Sequence, residues 1–199
     1  MAHVENIAVA LLAAGRSTRF GESDKLAAEL GDRTLIHWAA EAGLSVPARR
    51  WFLVAGPDAG GDAEGYERLT NPAPTQGLGS SLRIAAAAAA QAGVDGLLIL
   101  LADMPFIGKA HLGRLASAFG YDGTRPVFSL APDMAAQPPA LFPASLFEAL
   151  QAIQGDKGAR GFAEGASLVS TDPERLIDID TPDDLARARA LLPALPPDI

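Results

Sequence analysis

IAVALLAAGRSTRFGESDKL, residues 7–26, decides the fold. It opens on an unbroken apolar run, IAVALLA (7–13), which stops at Ala14 and Gly15. Arg16, Arg19 and Lys25 follow in a glycine-containing, mostly polar stretch. A strand with one wet face alternates apolar and polar residues, and this run does not. It therefore predicts a strand buried on both faces, as in a parallel sheet. Two further runs have the same character, RWFLVA (50–55) and GLLILLA (96–102).

Between these strands lie segments with helical character. TLIHWAAEAGL (34–44) is one, and SSLRIAAAAAAQAG (80–93) is another, capped by Ser80 or Ser81 and ended by Gly93. Its alanine run needs no other explanation than helix propensity. A helix is expected over 108–119, a strand at RLIDID (175–180) and a helix at PDDLARARALL (182–192). Strand–helix alternation with buried strands predicts an α/β three-layer fold. The expected organisation is one domain over 1–192 and a proline-rich tail over 193–199.

Composition narrows the function. The 199 residues are 49% hydrophobic and 20% charged, with a formal net charge of -8. That balance excludes general nucleic-acid binding, which needs a basic face. There is no cysteine, so disulfides, thiolate nucleophiles and cysteine metal sites are excluded. No basic-then-apolar leader is visible at the start, and no apolar run is long enough for a membrane span. The expected location is the cytoplasm.

Four stretches carry candidate chemistry. In open α/β sheets ligands sit beyond the carboxyl ends of strands, which places the loop after Ala13 at such a site. It is neither a Walker A loop nor a GxGxxG turn. Gly15 and Gly21 allow backbone N–H groups to approach a ligand, and Arg16, Arg19 and Lys25 suit phosphate oxygens. A solvated surface loop is the competing reading.

Asp103 follows an apolar strand, where a carboxylate needs a partner. It reads either as a metal or ligand carboxylate or as a cap or turn residue beside Pro105. In DIDTPDDL (178–185), Thr181, Pro182 and Asp184 read as N-cap, first helical residue and capping box, and the helix dipole accounts for Asp183. Asp180 is left over. Asp103 and Asp180, with phosphate oxygens and water, would make a magnesium site. In NPAPTQGLGSSL (71–82), Gly77 and Gly79 lead to a helix start at Ser80 and Ser81, which reads as an anion site or as an ordinary serine cap. His3, His37 and His111 read as structural.

Taken together these stretches resemble the MobA-like nucleotidyltransferases, in the molybdenum cofactor cytidylyltransferase branch. LAAGRSTRFGESDKL (12–26) is similar to the family's LAAGxSxRMG opening followed by lysine. NPAPTQGLGSSL resembles its nucleotide-contacting segment and LADMP (101–105) its metal-binding aspartate motif. GDKGAR (155–160) and DIDTPDDL resemble late motifs of the branch. The order is kept along nearly the whole chain. Three residues separate Gly21 from Lys25, one more than expected. Phe20 stands where methionine is usual, and AAQPPALF (135–142) where relatives often have Gly-His-Pro near the acceptor.

The resemblance implies a Rossmann-like, mixed but mostly parallel sheet flanked by helices. It implies transfer of CMP from CTP to a phosphorylated acceptor, molybdopterin first, with release of pyrophosphate and with Mg2+ as cofactor. Ala13, Ala14, Gly15, Arg16, Arg19 and Lys25 would meet the nucleotide, Lys25 and Arg19 stabilising the leaving pyrophosphate. Asn71, Gly77, Ser80 and Ser81 would lie against base and ribose, and Asp103 and Asp180 would hold the metal. Relatives that use GTP tend to have LAGG where this chain has LAAG, so Ala14 favours the smaller base. The alternatives are the same chemistry on a sugar or polyol phosphate, and a nucleotide-binding protein without turnover.

Overall fold

β1 (Ile7–Leu12) is buried along its whole length because both of its faces are covered. Ile7, Val9 and Leu11 belong to one apolar cluster, and Ala8, Ala10 and Leu12 to a second on the opposite face. The absence of alternation in the sequence is thus the signature of a middle layer. The computed structural model describes residues 6–15, 20, 24–57, 61–153 and 159–195.

Two small strands follow, β2 (Glu29–Leu30) and β3 (Arg33–Thr34), which pair with each other. Next come α1 (Leu35–Leu44), β4 (Arg50–Ala55), β5 (Glu67–Thr70), α2 (Leu78–Ala92) and β6 (Gly96–Leu101). The second half contains α3 (Lys109–Asp122), β7 (Val127–Leu130), β8 (Gln137–Pro143), α4 (Phe147–Gln151), β9 (Ser167–Ser170) and α5 (Pro182–Leu191). The seven-stranded sheet has the order β5-β4-β1-β6-β8-β7-β9. β1 pairs in parallel with both β4 and β6, and only β8 opposes its neighbours. The result is a mixed, mostly parallel sheet flanked by helices, as the sequence predicts.

The first cluster joins the sheet to α1 and α3, and the second joins it to α2 and α4. Gly96 shows how tight the first interface is: a Cβ there would sit 2.8 Å from the Phe119 ring. A third cluster joins Leu30, Leu35 and Trp38 to Phe106, Ile179, Leu185 and Ala188. The Trp38 indole N–H donates to the Leu30 carbonyl at 2.9 Å, and the Arg189 guanidinium donates to the Glu29 carbonyl. This clasp draws the segment around Lys25 toward the segment around Asp180. No helix among the described residues is long and apolar enough to cross a membrane.

Three expectations need correction. RLIDID is not a strand. Pro173–Leu176 form a 3-10 turn, after which the chain runs extended without joining the sheet. It is held instead by the Ile179 N–H donating to the Asp103 carbonyl, at 2.9 Å. α2 starts at Leu78 with Gly77 as its N-cap, so Ser80 and Ser81 lie inside its first turn and neither caps it. Gly77 is needed there, with φ at 79°, in the left-handed region that other residues avoid. α3 is displaced from the expected 108–119, with Gly108 as its N-cap and Asp122 as its last residue. The capping box on α5 is as read: Thr181 Oγ1 accepts from the Asp184 N–H, and the Asp184 carboxylate accepts from the Thr181 N–H.

Candidate nucleotide site

The carboxyl ends of β1 and β6 open onto a cavity of about 440 Å³. Its floor comes from the exit of β1, where the Ala13 N–H donates to the Val54 carbonyl and the Ala102 N–H to the Leu12 carbonyl. Ala13, Ala14 and Gly15 all line it. Among the described residues a Cβ built on Gly15 would meet nothing within 4 Å, so none of them blocks a ligand from approaching the backbone there.

One wall is charged. Lys25 lies in a short 3-10 turn, Lys25–Ala27, capped by Asp24, whose carboxylate accepts from the Leu26 N–H. The turn carries the Lys25 ammonium to Asp103 Oδ2 at 2.6 Å and to Asp180 Oδ1 at 2.8 Å. The lysine side chain is 7% exposed. Burial alone would lower its pKa, but attraction to Asp103 and hydrogen bonds to both carboxylates raise it on balance. The ammonium therefore stays charged through neutral pH, and the ion pairs are lost only as pH climbs past that raised value. Asp103 Oδ1 is buried and has no hydrogen-bond partner among the described residues.

The residues expected to be far apart in sequence are thus brought together: Lys25, Asp103 and Asp180 meet at one point. The ammonium sits where two carboxylates converge. No group of three or more histidine, cysteine or acidic side chains among the described residues could by itself cage a metal. A cation here would rely on ligand oxygens and water to complete its shell, which is the habit of Mg2+ rather than of a caged metal. The unpartnered Asp103 Oδ1 fits such a cation, because it is an oxygen already desolvated and lacking a donor.

The other wall is neutral. Gly77, Leu78 and Ser81 line the cavity from the start of α2, together with Pro74 and Thr75. Asn71 and Ser80, expected at the base and ribose, do not line it. Both are buried beneath the wall, where the Asn71 side chain binds the two serine hydroxyls. Arg83 holds the same loop from outside, donating to the Gln76 side-chain carbonyl and the Ile153 carbonyl.

Arg16, Arg19, Gly21 and the first part of GDKGAR lie outside the described residues. His37 bonds to Thr34 Oγ1, and His111 to Ser129 Oγ, in keeping with structural roles. Burial, with Arg114 beside it, lowers the His111 pKa to about 4. One acidic residue was missed. Partial desolvation and repulsion from Asp103, then from Asp180, raise the Asp178 pKa. The signal was present: in an extended segment residues i and i+2 share a face, so the buried Ile179 leaves Asp178 and Asp180 on the other side.

Residues 9–171 match the family described as the MobA-like NTP transferase domain. Along almost the full length, the chain is 31% identical over 195 residues to the molybdenum cofactor guanylyltransferase of Cereibacter sphaeroides, covering 92% of this chain and 95% of that protein. It is also 31% identical over 124 residues to the purine catabolism protein PucB of Bacillus subtilis, a match that spans only 57% of either chain. Among solved structures, the Mycobacterium sp. strain JC1 homologue of Mycobacterium tuberculosis Rv0371c superposes with a TM-score of 0.80 at 24% identity. That superposition covers 96% of this chain and 98% of the other. The fold, with its charged cavity at the strand ends, is that of a nucleotidyltransferase. The chain belongs to the MobA-like NTP transferase family.

Proposed function

We propose that this protein transfers CMP from CTP to the phosphate of molybdopterin, releasing pyrophosphate. The observation that carries the reading is the Lys25 ammonium held between Asp103 and Asp180 at the cavity mouth. An oxygen of the acceptor phosphate forms a bond to the α-phosphorus as the bond from that phosphorus to the β-phosphate bridging oxygen breaks. Negative charge then gathers on the departing pyrophosphate. Lys25, together with Arg19, supplies positive charge to that group. Gly15 lets the backbone approach the phosphates, and Gly77 and Ser81 bound the space for base and ribose.

Asp103 and Asp180 are the residues that would hold Mg2+. Bound there, the ion would neutralise phosphate charge and polarise the α-phosphoryl oxygens. The Lys25 ammonium would serve the triphosphate, a partner its chemistry suits.

Cytosine is favoured by Ala14. Ala14 lines the cavity, and glycine at this position would leave more room for a two-ring base. One methyl discriminates by about 1–3 kcal/mol, so the preference should be tenfold to a few hundredfold. GTP is the rival donor, favoured by the guanylyltransferase likeness along the full chain. Ala14→Gly should shift kcat/KM toward GTP. Pyrophosphate release, measured across molybdopterin, sugar phosphates and polyol phosphates, tests the acceptor. Fastest release with molybdopterin is the expected result. Release with a sugar or polyol phosphate alone would reassign the acceptor, and none with any of them would leave a nucleotide-binding protein.

A further inference from the structure

The neutral wall contains a hydrogen-bond arrangement whose direction is fixed. Asn71 is 1% exposed, and its backbone N–H donates to the Ala55 carbonyl at 2.7 Å. Its side-chain oxygen accepts from the Ala73 N–H at 2.9 Å, and because a backbone N–H can only donate, the amide nitrogen cannot take that place. That contact sets which way the amide lies, so the amide nitrogen must face α2. Its two hydrogens then go to two oxygens, Ser80 Oγ at 2.7 Å and Ser81 Oγ at 3.0 Å.

Both serines therefore accept from Asn71, and each keeps its own proton to give elsewhere. Ser80 gives its proton to the Gly77 carbonyl, at 2.8 Å, inside the wall. Ser81 has no such acceptor among the described residues, and Ser81 is the one of the pair that lines the cavity. It is 3% exposed, so little of that hydroxyl reaches bulk water.

We propose that Asn71 is a positioning residue that sets the polarity of Ser81, so that the wall presents a hydroxyl donor to the bound nucleotide. The group opposite Ser81 is then an acceptor, either a carbonyl or imine of the base, a sugar oxygen or a phosphate oxygen. Asn71 itself never touches the ligand. This rests on the cavity's being the nucleotide site and not on which base is used. It also explains why an amide stands at 71: a carboxylate of the same shape would accept from Ala73 equally well but would take the Ser81 proton for itself.

The test is nucleotide binding by isothermal titration, with Mg2+ and without acceptor so that there is no turnover. The probe is whichever of CTP and GTP the unmodified protein binds more tightly, so a failed cytidine assignment leaves the test intact. Asn71→Asp and Ser81→Ala should each weaken binding about tenfold, the scale of one hydrogen bond to a ligand. The double variant should bind no more weakly than either single one, since both remove the same donor. A merely structural asparagine would instead give additive losses, and that result overturns the proposal. Should Asn71→Asp fold poorly by thermal melting, Ser81→Ala alone remains decisive, and unchanged affinity in it also overturns the proposal. Inorganic tripolyphosphate, run in parallel, separates the sources. A loss for nucleotide but not for tripolyphosphate places the acceptor on base or sugar, and a loss for both places it on phosphate.

Discussion

Asn71 commits every polar atom of its side chain inside the protein, whereas Asp103, across the same cavity, has one buried carboxylate oxygen with no donor among the described residues. The neutral wall is internally braced, with amide, two serines and a glycine N-cap holding each other in one arrangement and only the Ser81 proton left to give. The charged wall is an ammonium between two carboxylates, and on the proposed function each of these groups would exchange that partner for the metal or the triphosphate. The contrast separates recognition from chemistry. A wall that reads shape gains from rigidity, while a wall that meets moving charge needs groups that can be exchanged.

The largest effect that could break this contrast is at Asp103. Asp103→Asn keeps the shape, so thermal melting should change little, but turnover should fall by about a thousandfold. EDTA should abolish activity and Mg2+ should restore it. Near-normal turnover in Asp103→Asn would make Asp103 a turn residue and the charged wall mere scaffold.

Lys25→Met should come next, with kcat reduced about a hundredfold and KM for nucleotide changed much less. Because the variant removes the ammonium that competes for Asp103 and Asp180, Mg2+ should bind the nucleotide-free protein more tightly, as read by calorimetry. Weaker nucleotide binding with unchanged kcat would reduce the lysine to a docking charge.

A smaller effect sharpens the comparison from outside both walls. His111 is buried and neutral, hydrogen-bonded to Ser129, and its pKa is lowered to about 4. The unfolded chain takes up this proton first as pH falls below 6.5, so the stability tied to neutral His111 is present above that pH and drains as pH drops toward 4. Denaturant titrations should show a loss on the order of 2 kcal/mol between pH 6.5 and 5, absent in His111→Gln. A loss equally large in the variant would assign the acid sensitivity to the carboxylates of the charged wall.

Much of the sheet was legible because burial on two faces writes itself as unbroken apolar runs, at β1, β4 and β6. β8 was not. Pro138 and Pro139 argue against a strand, yet they fall beyond its last pair with β6, Ile99 with Ala140, and on the β7 side within the register shift between the Phe128–Ala140 and Ser129–Gln137 pairs, where a missing donor is tolerated. β5 and β9 were missed because edge strands are short and half exposed, without an apolar run to mark them. RLIDID was misread for the opposite reason: its alternation fits a strand, but its backbone spends itself on a turn and on Asp103. At the site, Lys25, Asp103 and Asp180 could be named one by one from residue type and place. Asp103 and Asp180 could also be paired from topology, but the meeting of Lys25 with both could not, because it depends on the Trp38–Ile179–Leu185 clasp that joins distant segments. Asn71 and Ser80, named for the nucleotide, are buried beneath the wall and do not line it, and sequence does not tell a residue behind a wall from one on its face.

The most direct measurement of the central claim is a competition. The protein is incubated with molybdopterin, Mg2+ and equal concentrations of CTP and GTP, and the product is weighed by mass spectrometry. The expected result is the cytosine dinucleotide as main product, with one pyrophosphate released for each. A guanine dinucleotide as main product would contradict the assignment of the base, and consumption of neither nucleotide would contradict nucleotidyl transfer to molybdopterin itself.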